Sequence, residues 1–242
     1  MPPEHEEIRT VLTRLRKDYP HPGALHLGDP YRTIVAVSLS ARVRDEQVLK
    51  LLPAFFEAYP TPAALARADV QAIQAKISTI GMFRQKARNL KRLAQDVVGR
   101  FGGEIPRTME ALTSLAGVGR KTASVLLVAC FDTPAIAVDT HVFRVANRLG
   151  WVKEKTPEKT EAALLKIVPS KLQPLVNPVL MKFGRYVCLP GRPRCWMCPV
   201  RDFCRFKDKN LKTPPDADDV KQDIARREAA LEAMRRAVAK QP

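Results

Sequence analysis

Four cysteines crowd into one short segment, Cys188, Cys195, Cys198 and Cys204, spaced C-x6-C-x2-C-x5-C. Four thiolates at such intervals can close around a tetrahedral zinc ion or around an iron–sulfur cluster, and sulfur is a soft ligand that suits both. The spacing admits either. The chain opens MPPEHEEIRT, which is too polar for a secretory signal, so a reducing intracellular compartment is expected and the four read as metal ligands before disulfides. Arg192 and Arg194 lie in the first gap and are expected to project as a basic finger toward a phosphate backbone. The fifth cysteine, Cys130, stands beside Val128 and Phe131 and reads as a small buried hydrophobe.

A second chemical segment begins at Leu112, LTSLAGVGRKTASVLL. An apolar helix end, the turn Gly117-Val118-Gly119 and a new helix opening at Arg120-Lys121 form a helix–hairpin–helix pattern. The glycines permit positive φ and leave backbone N–H groups uncovered, and the second helix aims its positive end outward. Such amides suit a DNA phosphate. A plain corner whose glycines only allow tight packing is the competing reading, disfavoured by LxGxGxxxA between two helical runs on a basic chain. Lys121 falls in the first helical turn, where the macrodipole and the neighbouring Arg120 work against a cation. With partial desolvation that field favours the free amine, a nucleophile able to form a Schiff base. Spacing alone favours an ordinary phosphate-contacting lysine. Eighteen residues on, in AIAVDTHVFRVANRLG, Asp139 takes an N-cap position. It is either a simple cap or a carboxylate that accepts a proton and stabilises a cationic sugar.

The elements that must position these residues are helical. Ile8, Val11, Leu12 and Leu15 repeat at helical spacing, as do Val48, Leu51, Leu52 and Phe55. So do Ala87, Leu90, Ala94, Val97 and Phe101, and Val142, Val145, Ala146 and Leu149. Thr61-Pro62 and Thr156-Pro157 mark helix starts, while Gly81, Gly102-Gly103 and Gly150 mark stops. Alternation of period two is not sustained anywhere. Pro134 to Val138 alone could pass for a short strand. The expected class is all-α. At 242 residues the chain makes one large or two small domains, and its 45% hydrophobic content excludes a disordered chain. No apolar stretch approaches the roughly 18 residues of a membrane span. The 41 Lys+Arg against 25 Asp+Glu give a formal charge of +16, which favours polyanions, nucleic acid or an anionic membrane surface. Beyond Cys204 the chain turns polar and then offers Val220, Ile224, Leu231, Met234 and Val238 on one helical face, which favours an amphipathic helix packed on the body over a loosely held basic appendage.

Taken together, LAGVGRKTA, IAVDTHVFRV and the cysteine loop, with TRLRKDYPHP near the start and STIGMFRQKA, resemble the endonuclease III family of DNA glycosylase/AP lyases in the helix–hairpin–helix glycosylase superfamily. The likeness runs from about Ile8 to Lys207. It implies two helical domains, a central one at 24–132 and a cluster domain built from 1–23 plus 133–207. Residues 208–242 form a basic extension without a counterpart. It implies a [4Fe-4S] cluster on Cys188, Cys195, Cys198 and Cys204, Lys121 as the nucleophile and Asp139 as the catalytic carboxylate. It also implies a monomeric, cytoplasmic, nucleoid-associated enzyme of base excision repair that acts on duplex DNA with oxidised pyrimidines or abasic sites, with no membrane partner. DNA contacts are implied for Gly117, Gly119, Arg120, Arg42 and Met82. The family usually carries Gln at Arg42, Leu at Met82, Tyr at Phe83 and Pro at Ala116. Arg42 then meets an opposite-strand guanine or only a phosphate. The competing functions are a monofunctional mismatch glycosylase, whose family members lack the lysine, and a non-catalytic DNA-binding module with structural zinc.

Overall fold

A computed structural model describes residues 3–18 and 25–240; the YPHP of the TRLRKDYPHP motif and the expected boundary at 23/24 lie outside them. The described residues hold twelve α-helices and no strand: α1 (His5–Asp18), α2 (Pro30–Leu39), α3 (Asp45–Ala58), α4 (Pro62–Arg67), α5 (Val70–Lys76), α6 (Phe83–Phe101), α7 (Met109–Thr113), α8 (Arg120–Phe131), α9 (Thr140–Leu149), α10 (Pro157–Ile167), α11 (Gln173–Tyr186) and α12 (Ala217–Ala239). The chain is all-α. Thr61 and Thr156 each accept a backbone N–H, from Ala64 at 3.2 Å and Lys159 at 3.3 Å, with Pro62 and Pro157 opening the helices. Gly102 and Gly150 close α6 and α9 at φ +62° and +78°. Gly81 ends no helix. Helix α5 stops at Lys76, where a tighter closure of the Ile77 N–H on the Gln74 carbonyl ends it before the glycine is reached. Pro134 to Val138 is not a strand either; no second strand pairs with it, and the Ala137 carbonyl takes the Asn177 side-chain N–H at 2.7 Å.

The chain divides into two compact units. Met1–Pro22 with Thr133–Arg226 make one; Gly23–Asp132 with Arg227–Pro242 make the other. In the first, α1 and α9 pack on α11 and bury Ile8, Val11, Leu12 and Leu15 with Val142, Val145, Ala146 and Leu149. Full burial of each such aliphatic side chain is worth about 1.5–3 kcal/mol, which is what selects the helical spacing seen in the sequence. A Cβ at Gly184 of α11 would stand 2.8 Å from the His141 Cβ of α9, so these two helices cross at glycine distance. In the second unit α6 packs on α4 and α5, and α8 packs on α2 and α7. Chain 208–242 is shared: Ile224 joins the first unit's core, while Leu231 and Val238 are buried in the half belonging to the second. There Arg235 forks onto Glu232 at 2.7–2.8 Å and donates to the His26 carbonyl at 3.0 Å. No helix among the described residues is long and apolar enough to cross a membrane.

Candidate active site

The hairpin is built by α7, a short turn and α8. Gly117 has φ +77°, and a Cβ on it would lie 2.8 Å from Asn89 Nδ2 and 3.0 Å from Asn89 Cβ. Both backbone conformation and close approach require glycine there. Gly119 differs from the sequence expectation. Its φ is −89°, and a Cβ would meet open space. Its use is the bare N-cap: α8 has no side-chain cap, so the N-terminal dipole of the helix faces outward unscreened. The contrast gives a prediction. Gly117→Ala should cost about 1–2 kcal/mol for a non-glycine residue in the left-handed region, lowering the thermal midpoint by roughly 2–8 °C. Gly119→Ala should stay within about 0.5 kcal/mol. Differential scanning calorimetry of the two variants reads the difference; equal shifts would refute the assignment.

Lys121 is exposed in the first turn of α8, next to the likewise exposed Arg120. Asp139 caps α9: its Oδ1 accepts from the N–H groups of His141 at 2.9 Å and Val142 at 2.8 Å. Both bonds fall on one oxygen. The cap therefore fixes the carboxylate without using Oδ2. Burial pulls His141 below the ordinary histidine value, with Arg144 and Arg185 adding and Asp139 opposing. A neutral ring lets Nδ1 accept from Arg144 NH2 at 3.2 Å.

The four cysteines line a single cavity in the first unit, against Val145, Leu149 and Phe183. Burial pushes Cys198 up to about 12 and raises Cys204 as well. A pocket lined by four cysteines, with Cys198 and Cys204 resisting ionisation, fits a cationic metal group, which supplies the charge that thiolates need there. Four cysteine sulfurs lining one cavity suit a bound metal group. The residues fit the group.

Two arginines of α9 organise this loop, and the sequence reading missed both. Arg144 donates to the carbonyls of Cys188 at 2.9 Å and Gly184 at 2.8 Å. Arg148 donates to Leu189 and Pro190, each at 2.6 Å, and reaches Cys188 Sγ at 3.5 Å. Their signal was present, since Arg144 and Arg148 stand four apart on a helix facing the loop's apolar partners. Of the basic pair in the first gap, Arg192 is exposed. Arg194 is half-buried, and its NH1 donates to the Tyr186 carbonyl at 2.9 Å, so it holds the loop instead of projecting from it. Cys130 is only partly buried, and burial raises its thiol while Thr33 bonds it.

Arg42 and Met82 share a property that the sequence gave no sign of: both have positive φ, +59° and +60°. Among the described residues only Asp132 joins them as a non-glycine in that region. Each such residue costs on the order of 1–3 kcal/mol and persists where its surroundings hold it. Both side chains are exposed, Met82 at 59%, the highest of the large hydrophobics among the described residues.

Residues 35–170 match the family model of the HhH-GPD superfamily base excision DNA repair proteins. Endonuclease III of Haemophilus influenzae is 42% identical over 200 residues, covering 82% of this chain and 95% of that protein. The chain belongs to the endonuclease III family. A solved non-covalent endonuclease III–DNA complex matches with a TM-score of 0.77 and 36% identity, covering 84% of this chain and 96% of that one. A trapped endonuclease III–DNA covalent intermediate, an estranged-adenine complex, matches with a TM-score of 0.75, 35% identity and the same coverage. Like its family, the chain is a DNA glycosylase/AP lyase, an enzyme of base excision repair.

Proposed function

We propose that this endonuclease III family member, acting as a monomer, excises oxidised pyrimidines from duplex DNA and nicks the strand at the resulting site. The observation that carries the reading is Lys121, an exposed amine in the first turn of an uncapped helix that follows the hairpin turn. Hairpin amides around Gly117 and Gly119, with Arg120, take a backbone phosphate, and Arg192 meets another. The damaged nucleotide leaves the stack, and Arg42 and Met82 occupy the space vacated in the duplex.

The Lys121 Nζ lone pair attacks the sugar C1′, and the base leaves with the electrons of its glycosidic bond and gains a proton. Asp139 stabilises the positive charge that grows on the sugar as that bond stretches. Ring opening then moves the O4′ bond electrons onto O4′, which is protonated, and leaves a Schiff base between Nζ and C1′. Loss of a C2′ proton expels the 3′ phosphate by β-elimination, and water releases the lysine. Cys188, Cys195, Cys198 and Cys204 would hold a [4Fe-4S] cluster, whose contribution is to fix the loop they span. Arg144 and Arg148 orient that loop from α9.

The test is a panel of duplexes, each with one defined lesion, read by excision, strand nicking and borohydride trapping. Oxidised pyrimidines should be excised and nicked together, with a covalent product. Excision that leaves an intact abasic strand would instead establish a monofunctional glycosylase.

A further inference from the structure

Lys86 is the one lysine of α6 that points inward; its residue is only 8% exposed. A buried ammonium needs three acceptors, and Lys86 has three. Its Nζ lies 2.9 Å from the Leu39 carbonyl, 2.8 Å from the Ala41 carbonyl and 3.4 Å from the Ser38 carbonyl. These oxygens belong to the end of α2 and the turn after it, where helical carbonyls lack a following N–H and the dipole is negative. The Lys86 side chain is thus the C-terminal cap of α2. Lys86 stands in the first turn of α6, where its N–H makes the helix's opening bond onto the carbonyl of the N-cap Met82 at 3.0 Å, so the side chain that caps α2 is rooted one turn from Met82.

The Lys86 side chain therefore ties the carbonyl immediately before Arg42 to the first turn of the helix that Met82 opens. Arg42 and Met82 are two of the three non-glycine residues at positive φ among the described residues, Asp132 at the end of α8 being the third, a backbone state that ordinary side chains leave unless something fixes the neighbouring peptide. We propose that Lys86 is a positioning residue that sets the Arg42 and Met82 segments as a pair, so that both enter the duplex in register. The inference rests on the reading above that Arg42 and Met82 occupy the space left by the flipped nucleotide. Lysine suits the task because it presents three donors on one atom and no acceptor.

The experiment has one arm on the free protein and one on DNA. Lys86→Met keeps the length and removes every donor. In the free variant, amide hydrogen exchange should quicken at least tenfold at residues 40–44 and 80–84, and stay unchanged at 90–97 inside α6. With DNA, excision of a base lesion should fall about tenfold and the preference for the opposite base should flatten. Adding Arg42→Ala or Met82→Ala to Lys86→Met should cost little more than the single change, since all three act through one arrangement. Unchanged exchange in both segments, or losses that multiply in the double variants, would overturn the proposal. If Arg42→Ala and Met82→Ala alone leave excision intact, the duplex role of those loops fails, while the exchange arm still reads what Lys86 holds. Should Lys86→Met not fold, Lys86→Gln retains two donors and should fall between wild type and loss in both arms; wild-type behaviour in both would defeat the inference.

Discussion

Lys121→Ala should leave no borohydride-trapped complex with abasic duplex, and nicking should fall at least roughly a thousandfold, which is about 4 kcal/mol of transition-state stabilisation. Because Lys121 is exposed and buries nothing, the thermal midpoint should hold, and DNA binding should lose only about one unit of its salt slope. A wild-type-like adduct in this variant would remove the lysine from the mechanism. Asp139 allows a sharper separation. Asparagine caps helices as well as aspartate does, so Asp139→Asn retains the bonds to the His141 and Val142 amides and deletes only the charge. Excision should drop by about 10²–10⁴-fold with little change in stability. Asp139→Ala should in addition cost about 1 kcal/mol of folding stability through the lost cap. If Asn is fully active, the carboxylate is structural and nothing more.

The second large effect concerns the cysteine loop. Between Cys188 and Cys204 the described chain forms only two single-turn 3₁₀ segments, Cys195–Met197 and Arg201–Phe203, and the polypeptide holds it through Arg144, Arg148 and Arg194 and through Met197, Val200 and Phe203 packed on the core. Cross-linking a loop of about this length is worth roughly 3 kcal/mol by the chain-entropy relation. Cys198→Ser should therefore abolish stoichiometric iron and visible absorbance and lower the thermal midpoint by about 6–12 °C. Since α9 anchors the loop and carries the Asp139 cap at its start, excision should suffer along with stability. A colourless wild-type protein holding one zinc would replace the cluster with structural zinc. An unchanged midpoint in Cys198→Ser would show that the arginines and that packing suffice.

Much of this molecule was legible before any coordinates. Apolar residues at helical intervals, Thr-Pro starts and glycine stops are local signals, because a helix buries one face and needs its end groups bonded wherever it sits. The cysteine spacing, the hairpin glycines and the Asp139 cap belong to the same kind, as each depends on residues close in the chain. What the tertiary structure decided depends on distant partners. Arg194 turned inward because the Tyr186 carbonyl lay within reach. Gly119 proved to need no special backbone conformation, whereas Gly117 needs it and also faces Asn89 from another helix. Arg42 and Met82 adopt a conformation that their own side chains disfavour. Lys86 lies among the least often buried residue types, yet three carbonyls from 45 to 48 positions away made its burial tolerable. Local bonding rules write themselves into neighbouring residues; the satisfaction of a buried charge or a strained peptide is settled only when remote segments meet.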